Sequence, residues 1–176
     1  MTETRKRRLQ NDYRELLSMK NEFFDFRPIV GTPPYVEQYE LTFKIRSIVG
    51  IDRGAPIYRG VHVVRLSLPA GYPNAEFPKA QMVTRPFVYH PNWFTSGRWC
   101  YGSASKSTEG LGNFVVRMMQ TLQYVDSIIN PQSPANTEAN SWYLKNRGSA
   151  IFPTDRKKLP QPVIGGIVVT NRRSGN

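Results

Sequence analysis

The sequence is poor in thiol and imidazole side chains. Its 176 residues include one cysteine, Cys100, and two histidines. A single cysteine excludes an internal disulfide, and with only two histidines the chain lacks the usual ligand sets of structural zinc sites. We therefore expect no metal and no cofactor, and a protein suited to a reducing compartment.

The sequence also lacks a long apolar run. No stretch of about 18 residues is apolar enough to span a membrane, and the basic start Arg5-Lys6-Arg7-Arg8 is followed by no signal-like segment. We expect no membrane partner and a cytoplasmic location.

Acidic residues are scarce relative to basic ones. Asp and Glu number 13 against 24 Lys and Arg, which gives a formal net charge of +11. Such an excess favours acidic partners, either nucleic acid or an acidic protein surface. The two larger basic clusters, residues 5–8 and 156–158, are not interleaved with aromatic residues as in a groove that stacks single strands. Nucleic-acid binding is therefore not expected to be the main role.

Apolar periodicity predicts that the chain begins with a helix. Residues at helical spacing form one apolar stripe, made of Leu9, Tyr13, Leu16 and Leu17. Thr2 or Thr4 is a candidate cap. The basic run lies in the first turns, where the helix dipole disfavours positive charge, so it is either a partner-binding feature or a solvated face.

Between about residues 23 and 87 the apolar period changes to two, which predicts strands. Tyr39, Leu41, Phe43 and Ile45 alternate with polar residues, as in a half-buried strand. Shorter strands are predicted near residues 24–26, 61–68 and 80–83, and a turn is predicted over residues 50–60. Breaks of hairpin length between them favour a four-stranded antiparallel meander.

Two helices are predicted after Cys100. The first is strongly apolar, runs to Ile129 and is ended by Pro131, and the second covers about residues 135–147 with Asn136 as a cap. The order of helix, strands, loop and helices indicates an α+β domain.

The domain organisation predicted from this order has two parts. Residues 1–150 form the domain, and residues 151–176 form a basic C-terminal extension that contains Pro and Gly. Within the extension, Val163–Val169 is a candidate short strand, and Arg172-Arg173 adds positive charge near the end.

The loop from Tyr89 to Cys100 is the candidate reaction centre. A cysteine is a strong nucleophile although only a few per cent is thiolate at neutral pH. His90 and Asn92 in the same loop suggest a Cys-His-Asn protease, but the members of such a triad usually come from distant segments. A thiol that accepts an acyl group from another thioester and passes it to an amine needs only exposure and a polar donor for the oxyanion. The side-chain amide of Asn92 is such a donor.

Tyr89-His90-Pro91-Asn92, with the cysteine ten positions after the histidine, resembles the active-site signature of ubiquitin-conjugating enzymes. The resemblance extends from about Arg7 to Arg147. Further segments that resemble the family, in the same order, are Pro69-Ala70-Gly71-Tyr72-Pro73, Phe77-Pro78-Lys79, Asn130-Pro131, Asn136-Thr137-Glu138-Ala139 and Tyr143.

The resemblance implies a ubiquitin-conjugating-enzyme-like fold, with an N-terminal helix on a four-stranded antiparallel sheet, an active-site loop, and central and C-terminal helices. It implies that Cys100 accepts the C-terminus of a ubiquitin-like protein from an activating enzyme as a thioester and transfers it to an amine of a target protein. Asn92 would stabilise the oxyanion or brace the loop, and His90 would hold the loop by hydrogen bonds rather than act as a base.

The resemblance also assigns supporting roles. Tyr89, Pro91 and Tyr101 would fix the shape of the active-site loop. The basic first helix would be the docking site of the activating enzyme, and the candidate residues there are Arg5, Lys6 and Arg8.

The sequence departs from the family pattern on the acceptor side. Tyr101-Gly102 stands where the family usually has Leu-Asp, and Gln132-Ser133-Pro134 lacks the acidic residues usual near the incoming lysine. Asn74 or Ala75 replaces the aromatic residue that RING-type ligases grip, so the need for a ligase stays open. Glu109 is the one nearby acid, either a substitute for the missing acids or a solvated surface residue.

This divergence, together with the C-terminal extension, resembles bacterial relatives that are encoded in anti-phage defence operons. The alternative to an enzyme is a catalytically inert binding module of the same fold that acts as an adaptor. The retained Cys100 at the family spacing favours the enzyme.

Overall fold

The computed structural model describes residues 1–102, 108–164, 167 and 168. Its elements in chain order are α1 (Glu3–Met19), β1 (Phe24–Thr32), β2 (Tyr35–Phe43), β3 (Ser47–Asp52), β4 (Ala55–Arg59), β5 (His62–Ser67), β6 (Lys79–Met82), α2 (Leu111–Leu122), a 3-10 turn (Asp126–Ile128), α3 (Thr137–Asn146), β7 (Val163–Ile164) and β8 (Ile167–Val168).

The first helix begins as the sequence predicts. Thr2 caps it, because the Thr2 side chain accepts a hydrogen bond of 3.3 Å from the backbone N–H of Arg5. Leu9 and Leu16 are fully buried on its inner face, but Leu17 is 45% exposed, so its predicted place on the buried stripe is wrong. Consecutive helical residues are rotated by about 100°, which turns Leu17 away from the core that holds Leu16.

Four strands form one antiparallel sheet in the order β1-β2-β5-β6, which confirms the predicted four-stranded meander and the α+β class. The period-two pattern of β2 is also confirmed, since Tyr39, Leu41 and Phe43 are all fully buried. The opposite face of the sheet carries polar side chains, as expected for an antiparallel sheet with one solvated face.

Residues 47–59 form a separate hairpin of β3 and β4, so the turn predicted over residues 50–60 is wrong. Gly50 is accommodated at a register shift next to Ile48, and the tip is a tight turn in which Arg53 and Gly54 take φ values of 48° and 85°. Two positive φ values in succession are typical of a type I′ hairpin turn. The backbone N–H of Tyr89 donates to the Ile48 carbonyl at 2.9 Å, so this hairpin contacts the candidate active-site loop.

The central helix α2 is shorter than predicted, because it ends at Leu122 and not at Ile129. Tyr124 has a φ of 56°, which is incompatible with a continuing right-handed helix. The apolar residues that follow are nevertheless buried, since Ile129 packs with Tyr124, Tyr143 and Ile48 in a second core cluster.

The last helix agrees with its prediction. It spans Thr137–Asn146, and the Asn136 side chain caps it by accepting a hydrogen bond of 3.0 Å from the Ala139 N–H. Ala139, Trp142 and Tyr143 are at the positions expected to face inward. Ala139 and Tyr143 are buried, and Trp142 is partly buried against the second core cluster.

The N-terminus of α2 is capped by side chains of α1. Gly110 at the cap position has no side chain to offer, and instead Asp12 accepts from the Leu111 N–H at 3.3 Å and Glu15 accepts from the Gly112 N–H at 2.8 Å. Carboxylates are favourable at the positive end of a helix dipole, so this contact fixes α2 relative to α1.

Asp12 lies in a buried polar cluster. Its carboxylate forms an ion pair with Arg8 at 2.9 Å and accepts a hydrogen bond of 2.8 Å from the Tyr72 hydroxyl. Burial raises the pKa of Asp12 to about 6, although the Arg8 charge and the Tyr72 hydroxyl act in the opposite direction.

The first part of the predicted C-terminal extension packs on the domain. Thr154 is fully buried, and its hydroxyl lies 2.8 Å from the carbonyl oxygen of Arg46 and 2.9 Å from that of Leu122. The carboxylate of Asp155 accepts from the Arg46 N–H at 2.7 Å. These contacts join the segment to the end of α2 and to the connection between β2 and β3.

The candidate strand Val163–Val169 corresponds in part to β7 and β8, which pair with each other. Residues 165, 166 and 169–176, which include Arg172 and Arg173, lie outside the described part of the chain.

Candidate active site

The segment that precedes Cys100 is held against the edge strand β6. Arg98 and Gln81 form an antiparallel bridge, and the backbone N–H of Trp99 donates to the carbonyl of Ala80 at 3.0 Å. The sheet is thereby extended by a short strand-like segment that leads directly to Cys100. Cys100 follows this extension and is partly exposed.

The turn before that segment requires glycine. Gly97 has a φ of 83°, and its N–H donates to the Phe94 carbonyl at 2.8 Å. A Cβ at this position would lie 2.7 Å from ring carbons of Phe87, closer than real Cβ contacts. Both the positive φ and the lack of space exclude a larger residue.

Cys100 and Asn92 are joined through the backbone. The Cys100 N–H donates to the Asn92 carbonyl at 2.8 Å, and the Asn92 side-chain amide donates to the Ile128 carbonyl at 3.2 Å. A side-chain amide has two hydrogens. One of them is donated to the carbonyl of Ile128 in the 3-10 turn.

His90 is fully buried below this loop. Its Nδ1 accepts a hydrogen bond of 2.9 Å from the backbone N–H of Asn92, and its ring packs edge-on against Tyr124 at 4.3 Å. Burial lowers the pKa of His90 to about 3, so the ring is neutral and only weakly basic at neutral pH. This environment supports a scaffold role.

Tyr89 and Pro91 connect the loop to its surroundings through their carbonyls. The Tyr89 carbonyl accepts from the Tyr124 hydroxyl, and the Pro91 carbonyl accepts from the N–H groups of Ala135 and Asn136 at 2.8 and 3.2 Å. The loop is therefore attached both to the segment after α2 and to the start of α3. The role of Tyr124 has no local signal in the sequence, because its partner is distant along the chain.

Tyr101 packs among aromatic rings. Its ring lies 5.7 Å from Trp99, 5.2 Å from Phe114 and 6.2 Å from Phe77, centre to centre. Burial raises the pKa of its hydroxyl. The backbone that follows Cys100 is thus anchored by a partly buried ring.

Glu109 is not a solvated surface residue, which was one of the two predicted alternatives. Its side chain is 18% exposed and forms a two-bond ion pair with Arg117, at 2.8 and 2.7 Å. Its charge is therefore committed to Arg117, a residue of α2 that the sequence analysis missed. The sequence carries only a weak signal for this ion pair, because Glu109 lies in the loop before α2 and Arg117 lies within the helix.

Two grooves meet at Cys100. One, the sheet-side groove, has a volume of about 520 Å³ and is lined by Cys100 and by outward side chains that include Arg65, Ser67, Lys79, Gln81, Phe94 and Arg98. The other, the helix-side groove, has a volume of about 490 Å³ and is lined by Cys100 and by Asn92, Arg117, Ser127, Ile128, Asn130 and Ser133. Cys100 is thus accessible from two directions.

Arg5, a candidate for docking the activating enzyme, lies in a buried contact within the chain. Its guanidinium donates to the carbonyls of Pro69 and Tyr72 at 2.7 and 2.8 Å and to the carboxylate of Glu37 at 2.8 Å. These bonds fix α1 to the segment that follows β5.

The other two docking candidates differ in exposure. The Arg8 side chain is 16% exposed and paired with Asp12, whereas the Lys6 side chain is 44% exposed. Arg7 and Arg14 are also exposed on α1. The solvent-facing positive charge of the helix is therefore carried by Lys6, Arg7 and Arg14.

The described residues include no group of three or more His, Cys, Asp or Glu side chains placed to hold a metal ion. Within the same ranges, no helix is long and apolar enough to cross a membrane.

No family model matches the sequence, and no curated protein is similar to it by sequence. Among solved structures, a protein described as a novel ubiquitin-conjugating enzyme superposes with a TM-score of 0.53 at 17% identity, covering 79% of this chain and 84% of that one. Human ubiquitin-conjugating enzyme E2 G1 gives a TM-score of 0.47 at 20% identity, covering 65% of this chain and 90% of that one. By the first of these superpositions, the chain has the fold of ubiquitin-conjugating enzymes.

Proposed function

We propose that this protein is a conjugating enzyme that carries the C-terminus of a ubiquitin-like protein as a thioester on Cys100 and transfers it to an amine of a target. The observation that carries the proposal is the position of Cys100. The chain's single thiol is partly exposed where two grooves meet, and Asn92 lies within the same groove on one side.

Charging is a thiol exchange. The Cys100 thiolate attacks the carbonyl carbon of the thioester that joins the modifier to its activating enzyme. The new carbon–sulfur bond forms, the old one breaks, and the thiol of the activating enzyme leaves. This step needs an accessible thiol and no strong base, which suits a site whose histidine is buried and neutral.

Discharge is an aminolysis. An uncharged amine attacks the carbonyl carbon of the Cys100 thioester and an oxyanion forms. The carbon–sulfur bond then breaks, the Cys100 thiolate leaves, and the amine nitrogen loses one proton to solvent water as the amide forms. The second hydrogen of the Asn92 amide is the proposed donor to that oxyanion. A donor that acts on developing charge contributes roughly 100- to 1000-fold in rate.

The exposed cations of α1 are the proposed contact with the activating enzyme. Lys6 is one of them, together with Arg7 and Arg14. Arg5 and Arg8 contribute to that surface by holding α1 against the rest of the domain.

The test is a charging reaction with the cognate activating enzyme, modifier and ATP, analysed without reducing agent. We expect an adduct that a thiol reagent removes and that is absent from Cys100→Ala. If the wild-type protein stays unmodified while a known conjugating enzyme is charged in a parallel reaction, the proposal is wrong.

A second candidate function is an inert adaptor of the same fold. One observation favours it: no carboxylate is among the described residues that line the helix-side groove beside Cys100, and Glu109 is paired with Arg117. If the protein is an adaptor, the wild type and Cys100→Ala should bind the modifier or the activating enzyme equally well, and neither should be charged.

The proposed setting is bacterial anti-phage defence, with an activating enzyme, a modifier and a target as partners. Support for this setting comes from sequence divergence alone. Neighbouring genes for an activating enzyme or a ubiquitin-like protein would agree with it, and their absence from related gene neighbourhoods would count against it.

A further inference from the structure

A row of side chains crosses the outward face of the sheet and ends beside Cys100. Strand register places Glu40 opposite Arg65, Arg65 opposite Gln81, and Gln81 opposite Arg98. Because side chains on opposed residues share a face, these four point to the same side. Arg98 is two residues before Cys100, so the row leads to the reactive thiol.

The sheet-side groove next to this row is cationic. Arg65, Lys79 and Arg98 line it together with Cys100, and no carboxylate is among its described lining residues. The Arg98 guanidinium lies 4.4 Å from the centre of the Phe94 ring, which holds the charge at the groove wall. Three positive charges therefore converge where a substrate would approach the thioester.

Acidic residues around the groove do not remove this charge. Glu40 pairs with Arg27 at 2.8 Å, on the far side of the row from Arg98. Glu76 lies 3.2 Å from Lys79, but both side chains are well exposed, and such pairs contribute little in water.

The positive charges act at the reaction centre. Burial and the nearby Cys100 raise the pKa of the Tyr101 hydroxyl, and Lys79, Arg117 and Arg98 lower it. Tyr101 directly follows Cys100, so a group that approaches Cys100 experiences the same cations. A bare ammonium is repelled there, and a carboxylate is attracted.

The two grooves have different roles in the proposed reaction. Asn92, the proposed donor to the thioester oxygen, lines the helix-side groove and is absent from the lining of the sheet-side groove. The acyl group bound to Cys100 therefore lies toward the helix side. The sheet-side groove stays open for the acceptor, and its volume of about 520 Å³ is in the range of sites that enclose a short segment of a ligand.

We propose that the sheet-side groove binds an acidic protein segment, in which carboxylates next to the acceptor amine contact Arg65, Lys79 and Arg98. This inference rests on the proposed function and narrows it to a class of target. The carboxylates bind the cations and bring the amine to Cys100, so the groove selects targets by the charge around their acceptor residue.

The test measures transfer from loaded Cys100 to two acceptor peptides. Cys100 is loaded by exchange with a glycine-ended peptide thioester of a small thiol, and the excess is removed. One acceptor has a lysine flanked by glutamates, and the other has the same lysine flanked by glutamines. We expect the glutamate peptide to reach half-maximal rate at a concentration about tenfold lower, an advantage that salt removes.

Substitutions inside and outside the groove distinguish binding in the groove from attraction to the overall positive charge of the protein. Lys79→Gln with Arg98→Gln should cancel the advantage of the glutamate peptide over the glutamine peptide. The control is Lys145→Gln, which removes an exposed cation from α3, outside the groove, and should leave the advantage intact.

Three outcomes would overturn the inference. One is that the transfer rate depends on concentration in the same way for both peptides. Another is that Lys145→Gln reduces the advantage of the glutamate peptide as much as the groove variant does. The third is that a single-stranded oligonucleotide inhibits transfer at lower concentrations than a lysine-free glutamate peptide does. This result would indicate that the groove binds nucleic acid.

A binding assay keeps this inference separate from the proposed function. Fluorescence anisotropy of the labelled glutamate peptide with Cys100→Ser needs no thioester. If the peptide binds and Lys79→Gln with Arg98→Gln abolishes this binding, the proposed role of the groove is supported even if Cys100 cannot be loaded. If the peptide does not bind, that role is wrong even if loading succeeds.

Discussion

The backbone N–H of Cys100 donates a hydrogen bond of 2.8 Å to the carbonyl oxygen of Asn92. The bond closes the loop between Cys100, the proposed nucleophile, and the residue whose side chain is proposed to assist it. Asn92 is in turn held by Ile128 at 3.2 Å and by His90 at 2.9 Å. These bonds fix the position of Asn92 relative to Cys100 in the folded protein.

Replacement of Asn92 by alanine should separate charging from discharge. We expect Cys100 to be charged at near-normal rate, because a thiolate is a strong nucleophile and this exchange depends less on a donor to the oxyanion than aminolysis does. Single-turnover discharge to an amine should slow roughly 100- to 1000-fold. The control is Asn113→Ala, an exposed asparagine of α2. Equal loss of charging and discharge would show that Asn92 is only a structural brace.

Arg5 and Lys6 should behave oppositely although they are adjacent. Arg5→Ala removes a charged donor from buried carbonyls and from Glu37, and should lower the free energy of unfolding by about 3 kcal/mol. Lys6→Ala should leave stability unchanged and slow charging by the activating enzyme. Urea unfolding and initial charging rates measure the two effects. A stable Arg5→Ala protein would contradict the buried role.

Asp12 should make stability depend on pH. Its pKa is raised to about 6 in the folded protein, above the ordinary value of about 3.9, so the folded state binds the proton more tightly than the unfolded state. The free energy of unfolding should therefore decrease as pH rises through this window, by on the order of 3 kcal/mol from this group.

The measurement is urea unfolding of wild type and Asp12→Asn at several pH values between those two pKa values and above. Other carboxyl groups, such as that of Asp155, have a lowered pKa in the folded protein and affect stability with the opposite sign. Their contribution is the same in both proteins, so it cancels when one free energy of unfolding is subtracted from the other. If the free energy of unfolding of the wild type minus that of Asp12→Asn increases as pH rises, the raised pKa of Asp12 is contradicted.

Thr154 tests the attachment of the C-terminal segment. Thr154→Val keeps the shape but removes the buried hydroxyl that contacts Arg46 and Leu122, and should lower the free energy of unfolding by about 1–3 kcal/mol. The matched control is Thr95→Val at an exposed position. Equal melting temperatures of the two variants would mean that this segment adds nothing to the domain.

Elements with a clean apolar period were predictable from the sequence. The strand that contains Tyr39, Leu41 and Phe43 is an example, because alternation alone determines which side chains face the core. The cap at Asn136 was predictable for a similar reason, since a cap is a local interaction.

The errors arose where the backbone leaves the regular period. The hairpin around Gly50 and Gly54 was predicted as a turn, because residues that break strands can also form bulges and tight tips. The end of α2 was placed too late, because apolar residues after Tyr124 continue at helical spacing but pack in a second cluster.

The sequence predicted which residues the candidate loop brings together, and it did not predict their surroundings. Cys100, Asn92 and His90 share one loop, so their spacing in the sequence carried the information. The burial of Arg5 depends on carbonyls 64 and more residues away, and the pairing of Glu109 depends on a helix start. Such long-range contacts leave no local pattern.

The central claim is that Cys100 forms a thioester, and the most direct measurement is the chemistry of its adduct. Wild type and Cys100→Ser are charged with the cognate activating enzyme, modifier and ATP, and the adducts are treated with thiol or with mild alkali. The account predicts that thiol releases the modifier from the wild type at Cys100, while any Cys100→Ser adduct resists thiol and yields to alkali. An adduct that survives thiol in the wild type, or that forms equally on Cys100→Ala, would contradict it.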